Sequence, residues 1–158
     1  GHGYTNTYSD IDIKDINEIV DYDDSFVEEF VIENVDYYKN TFKNFRPSNK
    51  IKFNWVAFFF PSHWLMYRKM YALGIGLIIA SVFVRFIPFG GMAICLLNGL
   101  FGNYMYYKRY NMVVSNMKLL DYGEREEYLK KKGGTNGTAV LLLILAHIVL
   151  RVIWLTFA

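Results

Sequence analysis

The chain reads as an all-α, polytopic helical membrane protein. Three transmembrane helices, one interfacial or re-entrant aromatic helix and short N-terminal cytoplasmic helices are expected. Three observations predict it. First, three apolar runs (Met70 to Ile87, Phe89 to Tyr107 and Thr138 to Phe157) contain no Asp or Glu. Each has about 18 to 20 residues, which at about 1.5 Å rise per residue matches a hydrocarbon core of about 30 Å. Second, 53% of the residues are apolar, with 13 Tyr, 13 Phe and 3 Trp. That is rich for a soluble domain and usual for a membrane bundle with aromatic belts. Third, the net charge of +2 hides a segregation. Residues 1–36 carry eleven acids against Lys14, and all but four of the acids lie there. An acidic module is thus joined to a basic, apolar body.

Taken in order, residues 1–11 are read as a disordered acidic start. No signal peptide opens the chain: its first residues are polar, with neither a basic n-region nor an apolar h-region. Insertion is expected to rely on the internal apolar segments. Gly1-His2-Gly3 reads as a tag scar or a processed start, which leaves an upstream segment open. Residues 12–46 form the acidic cytoplasmic helical segment. Asp12–Val20 places Ile13, Ile16, Ile19 and Val20 on one side of a short helix. Ser25-Phe-Val-Glu28 has capping-box spacing and starts a second helix that buries Phe26, Phe30 and Val31. Asn34 caps a third, with Val35, Tyr38, Phe42 and Phe45 three and four residues apart. These helices hold too little apolar surface for a core of their own.

Residues 47–69 comprise a linker and the aromatic segment Phe53 to Tyr67, which Pro61, Ser62 and His63 break. At about 15 residues it is short for a span. An interfacial or re-entrant helix fits better, with the rings of Trp55 and Trp64 near headgroup level. Residues 70–107 supply transmembrane helices 1 and 2, residues 108–137 a basic cytoplasmic loop, and residues 138–158 transmembrane helix 3. In the loop, Glu126, Glu127, Lys130 and Lys131 allow (i, i+4) pairs on a helix ended by Gly133-Gly134. Lys43, Arg46, Lys50, Lys52, Arg68 and Lys69 precede the first span, and Lys108, Arg109, Lys118, Arg125 and Lys130 to Lys132 follow the second. The Lys/Arg bias puts the N-terminus and the 108–137 loop in the cytoplasm and the C-terminus outside.

The block Phe53-Asn54-Trp55-x-Ala57-Phe58-Phe59-Phe60…Trp64-Leu65-x-Tyr67-Arg68-Lys69-Met70-Tyr71 resembles the bacterial membrane family catalogued as domain of unknown function 2628. The resemblance extends upstream to Asp36-Tyr37-Tyr38 and downstream to Asn98-Gly99-Leu100-Phe101-Gly102-Asn103-Tyr104, covering roughly residues 12–110. Where the family usually has Gly-Pro, this chain has Pro61-Ser62. The resemblance implies a small protein of the bacterial cytoplasmic membrane and lends no activity.

Ala72, Gly76 and Ala80 form one small-residue stripe. Gly91, Cys95, Gly99 and Asn103, joined by Asn98 and Gly102, form another. Such stripes let helices approach closely in lipid. The structural reading is packing of the three spans against each other; the functional alternative is a homo-oligomer interface or a lipid groove. Arg85 and Arg151 are read as snorkelling to the outer headgroups. Neutral His147, mid-span, is expected to pack toward the second span within hydrogen-bonding reach of Asn98 or Asn103. His63 satisfies backbone groups at the kink or senses pH near the interface.

No catalytic constellation, metal cluster or nucleotide motif is present, so a non-enzymatic protein without cofactor is expected. The leading reading is a membrane-anchored interaction or adaptor protein that docks a partner through its acidic module, or folds that module onto its own basic face. The alternative is a lipid- or small-ligand-binding protein, a subunit of a transport or export assembly. Its groove would be edged by Trp55, Trp64, Tyr104 and Tyr106. Candidate partners are membrane lipids, a protein at the acidic segment and a second copy of the chain; no nucleic acid is expected. Candidate interaction or lipid-contact residues are Trp55, His63, Trp64, Arg68, Lys69, Asn98, Asn103, His147 and Arg151.

Overall fold

A computed structural model describes residues 22–158, and all regular structure among them is helical. The helix expected over Asp12–Val20 lies outside the described residues. After a 3₁₀ turn at Asp24–Phe26 come α1 (Val27–Val31), α2 (Val35–Lys43), α3 (Trp55–Phe59), α4 (Pro61–Tyr67), α5 (Tyr71–Val84), α6 (Gly90–Lys118), α7 (Tyr122–Lys132) and α8 (Gly137–Phe157). With 29 residues, α6 is about 43 Å long and serves as the spine.

The C-terminal half of α6 carries the core. Tyr106, Tyr110, Val113, Val114 and Met117 are buried there, against Val27, Phe30, Val31, Tyr38, Phe42 and Phe45 from the N-terminal helices and Leu129 from α7. The rings interlock. Phe42 lies 5.6 Å from each of Tyr106, Tyr107 and Tyr110, and Phe30 lies 5.5 and 5.4 Å from Tyr106 and Tyr110. Tilted and edge-to-face pairs at this spacing add to the area they bury. Residues 22–46 of the acidic segment are thus a cap folded onto their own chain.

Two caps differ from the sequence reading. Asp23, not Ser25, opens the first turn: its carboxylate accepts from the Ser25 N–H at 3.0 Å. Asn34 does precede α2, but with φ 60° and no side-chain cap bond. Its contribution is tolerance of the left-handed region. In α7 the expected Lys130–Glu126 pair forms at 2.6 Å, and Gly133 closes the helix onto the Leu129 carbonyl.

The three expected spans are not three long apolar helices. Among the described residues, one helix is long and apolar enough to cross a membrane, and that stretch is α8 with 21 residues. α5 has 14 residues, about 21 Å, because Pro88 follows closely and Phe89 sits at φ 61° to start the next helix. α6 is long enough, but Asn98 and Asn103 interrupt its first half, and its tyrosines with Lys108, Arg109 and Lys118 make its second half polar.

The small-residue stripes also pack differently. Gly76 and Gly91 face open space, whereas Gly74 lies so close to α4 that a Cβ there would meet Met66 Sδ at 2.8 Å. Gly99 and Gly102 receive α3 and α4 rather than another span. A Cβ on Gly99 would sit 2.9 Å from Phe58 Cβ, and one on Gly102 3.1 Å from Trp64 Cζ3.

Candidate functional site

The aromatic segment is a broken helical hairpin. Pro61 is the first residue of α4, where its missing N–H costs nothing, and the chain reverses at Phe60. The Asn54 N–H donates to the Gly99 carbonyl at 2.8 Å, so α3 starts level with a point about 13 Å along α6. That is the geometry of a hairpin laid along α6. It brings irregular backbone deep beside α6, and side-chain amides satisfy it. Asn54 Oδ1 accepts from Ala57 N at 3.0 Å and Asn54 Nδ2 donates to Asn103 Oδ1 at 2.8 Å. Asn98 Nδ2 donates to the Ala57 carbonyl at 2.8 Å, and Asn103 Nδ2 to the Tyr37 hydroxyl at 2.8 Å. Buried backbone needs such partners wherever water is excluded.

These bonds occupy Asn103 and the Nδ2 of Asn98, whose Oδ1 stays buried without a partner among the described residues, and His147 reaches neither residue, which overturns the expected contact. His147 is exposed, its Nδ1 lies 2.9 Å from the Leu143 carbonyl of its own helix, and its nearest ring is His63 at 5.6 Å. The two histidines come together because α8 packs against α4. His63, Val56, Phe60, Trp64, Tyr67, Val140 and Ile144 line an almost wholly apolar cavity of about 340 Å³ between the hairpin and α8.

Trp64 is a second correction. It is 4% exposed, against Gly102 and Tyr106, because α4 presents this face to α6 rather than outward. Trp55 is 66% exposed, stacked on Phe59 at 6.0 Å. Tyr106 is fully buried in the cap core and Tyr104 faces Phe45. Of the four residues expected to edge one groove, Trp64 lines the apolar cavity against α8, while Tyr106 is closed off in the cap core.

Arg68 is a third. As a candidate lipid contact it should be exposed, yet it is 2% exposed. Its guanidinium donates to the Val31 and Glu33 carbonyls, both at 3.1 Å, where α1 ends. It also lies 4.5 Å from the Tyr38 ring centroid, 5.3 Å from Tyr106 and 5.5 Å from Tyr67. Carbonyl dipoles at a helix C-terminus and three aromatic faces together hold the charge. Lys69, at φ 57°, makes the turn that follows Arg68, and its Nζ lies 3.4 Å from the Lys131 carbonyl near the end of α7.

Glu33, Asn54 and Tyr67 were not candidates. Glu33 accepts from the Tyr67 hydroxyl and, at 3.4 Å, from Thr135, tying hairpin, cap and the approach to α8. This bond raises the Tyr67 pKa. Asn54 stands in the aromatic block before a helix start, and that position was a legible cap signal. Asp23 pairs with Lys118 at 2.9 Å. The Ser25 hydrogen bonds and Lys118 hold its carboxyl at about 2. Arg151 is exposed and shares a cavity with Arg85. Among the described residues no group of His, Cys, Asp and Glu is arranged to hold a metal.

A long central helix, a broken aromatic hairpin docked on it and an aromatic cap define an all-helical protein organised around residues 24–111. Over those residues, more than half of its length, the chain matches the family described as "Protein of unknown function (DUF2628)", and it belongs to that family. No curated protein and no solved structure matches it.

Proposed function

We propose that the chain is a non-enzymatic, multi-pass protein of the bacterial cytoplasmic membrane whose cap docks a basic protein segment. One observation carries the membrane part: no residue in the most apolar 18-residue window of α8 is buried. The outer faces of α5 and of the first half of α6 are likewise apolar and bare at Ile79, Phe83, Met92 and Leu97. In water, so much contiguous apolar surface calls for a cover. The hairpin enters from the cap side beside α6, as irregular backbone does only when protein surrounds it. The 14-residue α5 fits a locally thinned bilayer with its flanking turns. The Lys/Arg bias orients the cap and the 108–137 segment to the cytoplasm.

The adaptor reading is supported by the division of labour in the cap. Val27, Phe30, Val31 and Tyr38 face the core, while Asp24, Glu28, Glu29 and Asp36 are exposed. D24N/E28Q/E29Q/D36N is expected to insert and melt like the wild type. It should lose a protein with a basic segment that cross-links to the wild-type cap in the native membrane. An unchanged cross-link would overturn the docking role. A second reading, a site for one acyl chain, is favoured by the apolar cavity against α8. Ile144→Trp should fill it and expel any lipid that co-purifies there.

A further inference from the structure

At the end of α8 away from the cap, two arginines share one groove. Arg85, the C-cap of α5, and Arg151, on α8, line a cavity of about 530 Å³ together with His147, Leu150 and Trp154. Both arginines are exposed, and neither has an ion pair among the described residues. No Asp or Glu occurs in residues 70–107 or 138–158, so neither apolar stretch supplies a counter-charge. His147 adds none either. An imidazole carries no negative charge in either of its ordinary protonation states. Two like charges lining one groove, with no counter-charge beside them, favour an anion there.

We propose that this groove holds the phosphodiester of one anionic glycerophospholipid, bridged by Arg85 and Arg151. The planar guanidinium fork matches phosphate oxygens two at a time. Beside the charges, Trp154 offers an indole of the kind that sits at headgroup level, and Leu150 an apolar wall for the first acyl carbons. The assignment rests on the membrane reading above and goes beyond it. Independent snorkelling would place each arginine among bulk headgroups, whereas a shared groove selects one lipid and needs both arginines.

The test uses the full chain in nanodiscs of phosphatidylcholine doped with phosphatidylglycerol, with the lipids retained per chain counted by native mass spectrometry. The wild type is expected to keep one phosphatidylglycerol, enriched at least about tenfold over the bulk. R85Q and R151Q should each remove nearly all of that enrichment, and R85K/R151K should keep a reduced part. No enrichment in the wild type, which requires no variant to fold, would overturn the proposal. So would single variants that each remove only half of the effect on a logarithmic scale, or retention of added inorganic phosphate in place of the lipid. Failure of the membrane reading looks different: alkaline carbonate then releases the chain from native membranes, and the lipid assignment falls with it.

Discussion

The cap and the apolar helices exclude water in opposite ways. In the cap, Phe30, Phe42, Tyr106 and Tyr110 are fully covered by other parts of the same chain, and the acids stay outside. In α8 no residue is buried, although its sequence is more apolar than any in the cap. Hydrophobicity alone therefore does not place a residue inside this protein. What matters is whether a neighbouring element exists to cover it, and for most of α8 the chain offers none. The cap folds by its own aromatic packing; α8 relies on its surroundings.

The contrast is broken most directly by paired truncations. Phe30→Ala should cost about 3–5 kcal/mol, as large-to-small changes in packed aromatic cores do. Leu150→Ala, on the exposed face of α8, should change stability by less than about 0.5 kcal/mol in the same detergent. Thermal unfolding of both variants checks this, and equal losses would mean that α8 is packed after all.

Arg68→Met sharpens the boundary between cap and hairpin. It removes two donors from buried carbonyls and a cation from three tyrosine faces, for a net loss of about 2–4 kcal/mol. Hydrogen exchange should rise first at α1 and α4 and leave α8 unchanged. Uniform exchange would show that Arg68 does not join these two elements in particular.

The smallest effect is electrostatic and confined to the cap. The Asp23 carboxyl, ordinarily at 3.8, is held at about 2 by Ser25 and Lys118. Its folded value is lowered, so its contribution is present above the ordinary value and fades as the pH falls through about 2. The pair is partly exposed, so the contribution is below about 1 kcal/mol. D23N should remove this part of the acid sensitivity between those two values and leave the melting temperature near neutral pH little changed.

Much of this was legible in the residues themselves. The break at Pro61, the stop before Pro88, the Gly133 end of α7 and the inward stripe of Tyr38 and Phe42 all express local backbone sterics or helical period. Family membership was legible too, because the aromatic block carries it. The partners were not legible. The Asn98 amide looks equally suited to His147 and to the Ala57 carbonyl, and the choice depends on which element docks on Gly99 and Gly102. Arg68 and Trp64 read as surface residues because arginine and interfacial tryptophan usually are. Trp64 is buried against Gly102 and Tyr106, and Arg68 against the carbonyls that end α1, contacts made between elements far apart in the chain.

By itself, then, the sequence determined the helical class, the breaks between helices and the separation of an acidic cap from an apolar body. These follow from dihedral restrictions and periodicity acting over a few residues. Only the tertiary structure decided that the second apolar run would serve as a spine for a broken aromatic hairpin. It also decided that residues 22–46 would fold onto their own chain and that Arg85 and Arg151 would share one groove. Each of those outcomes depends on which surfaces are close enough in shape to exclude water, and that is settled between elements far apart in the chain.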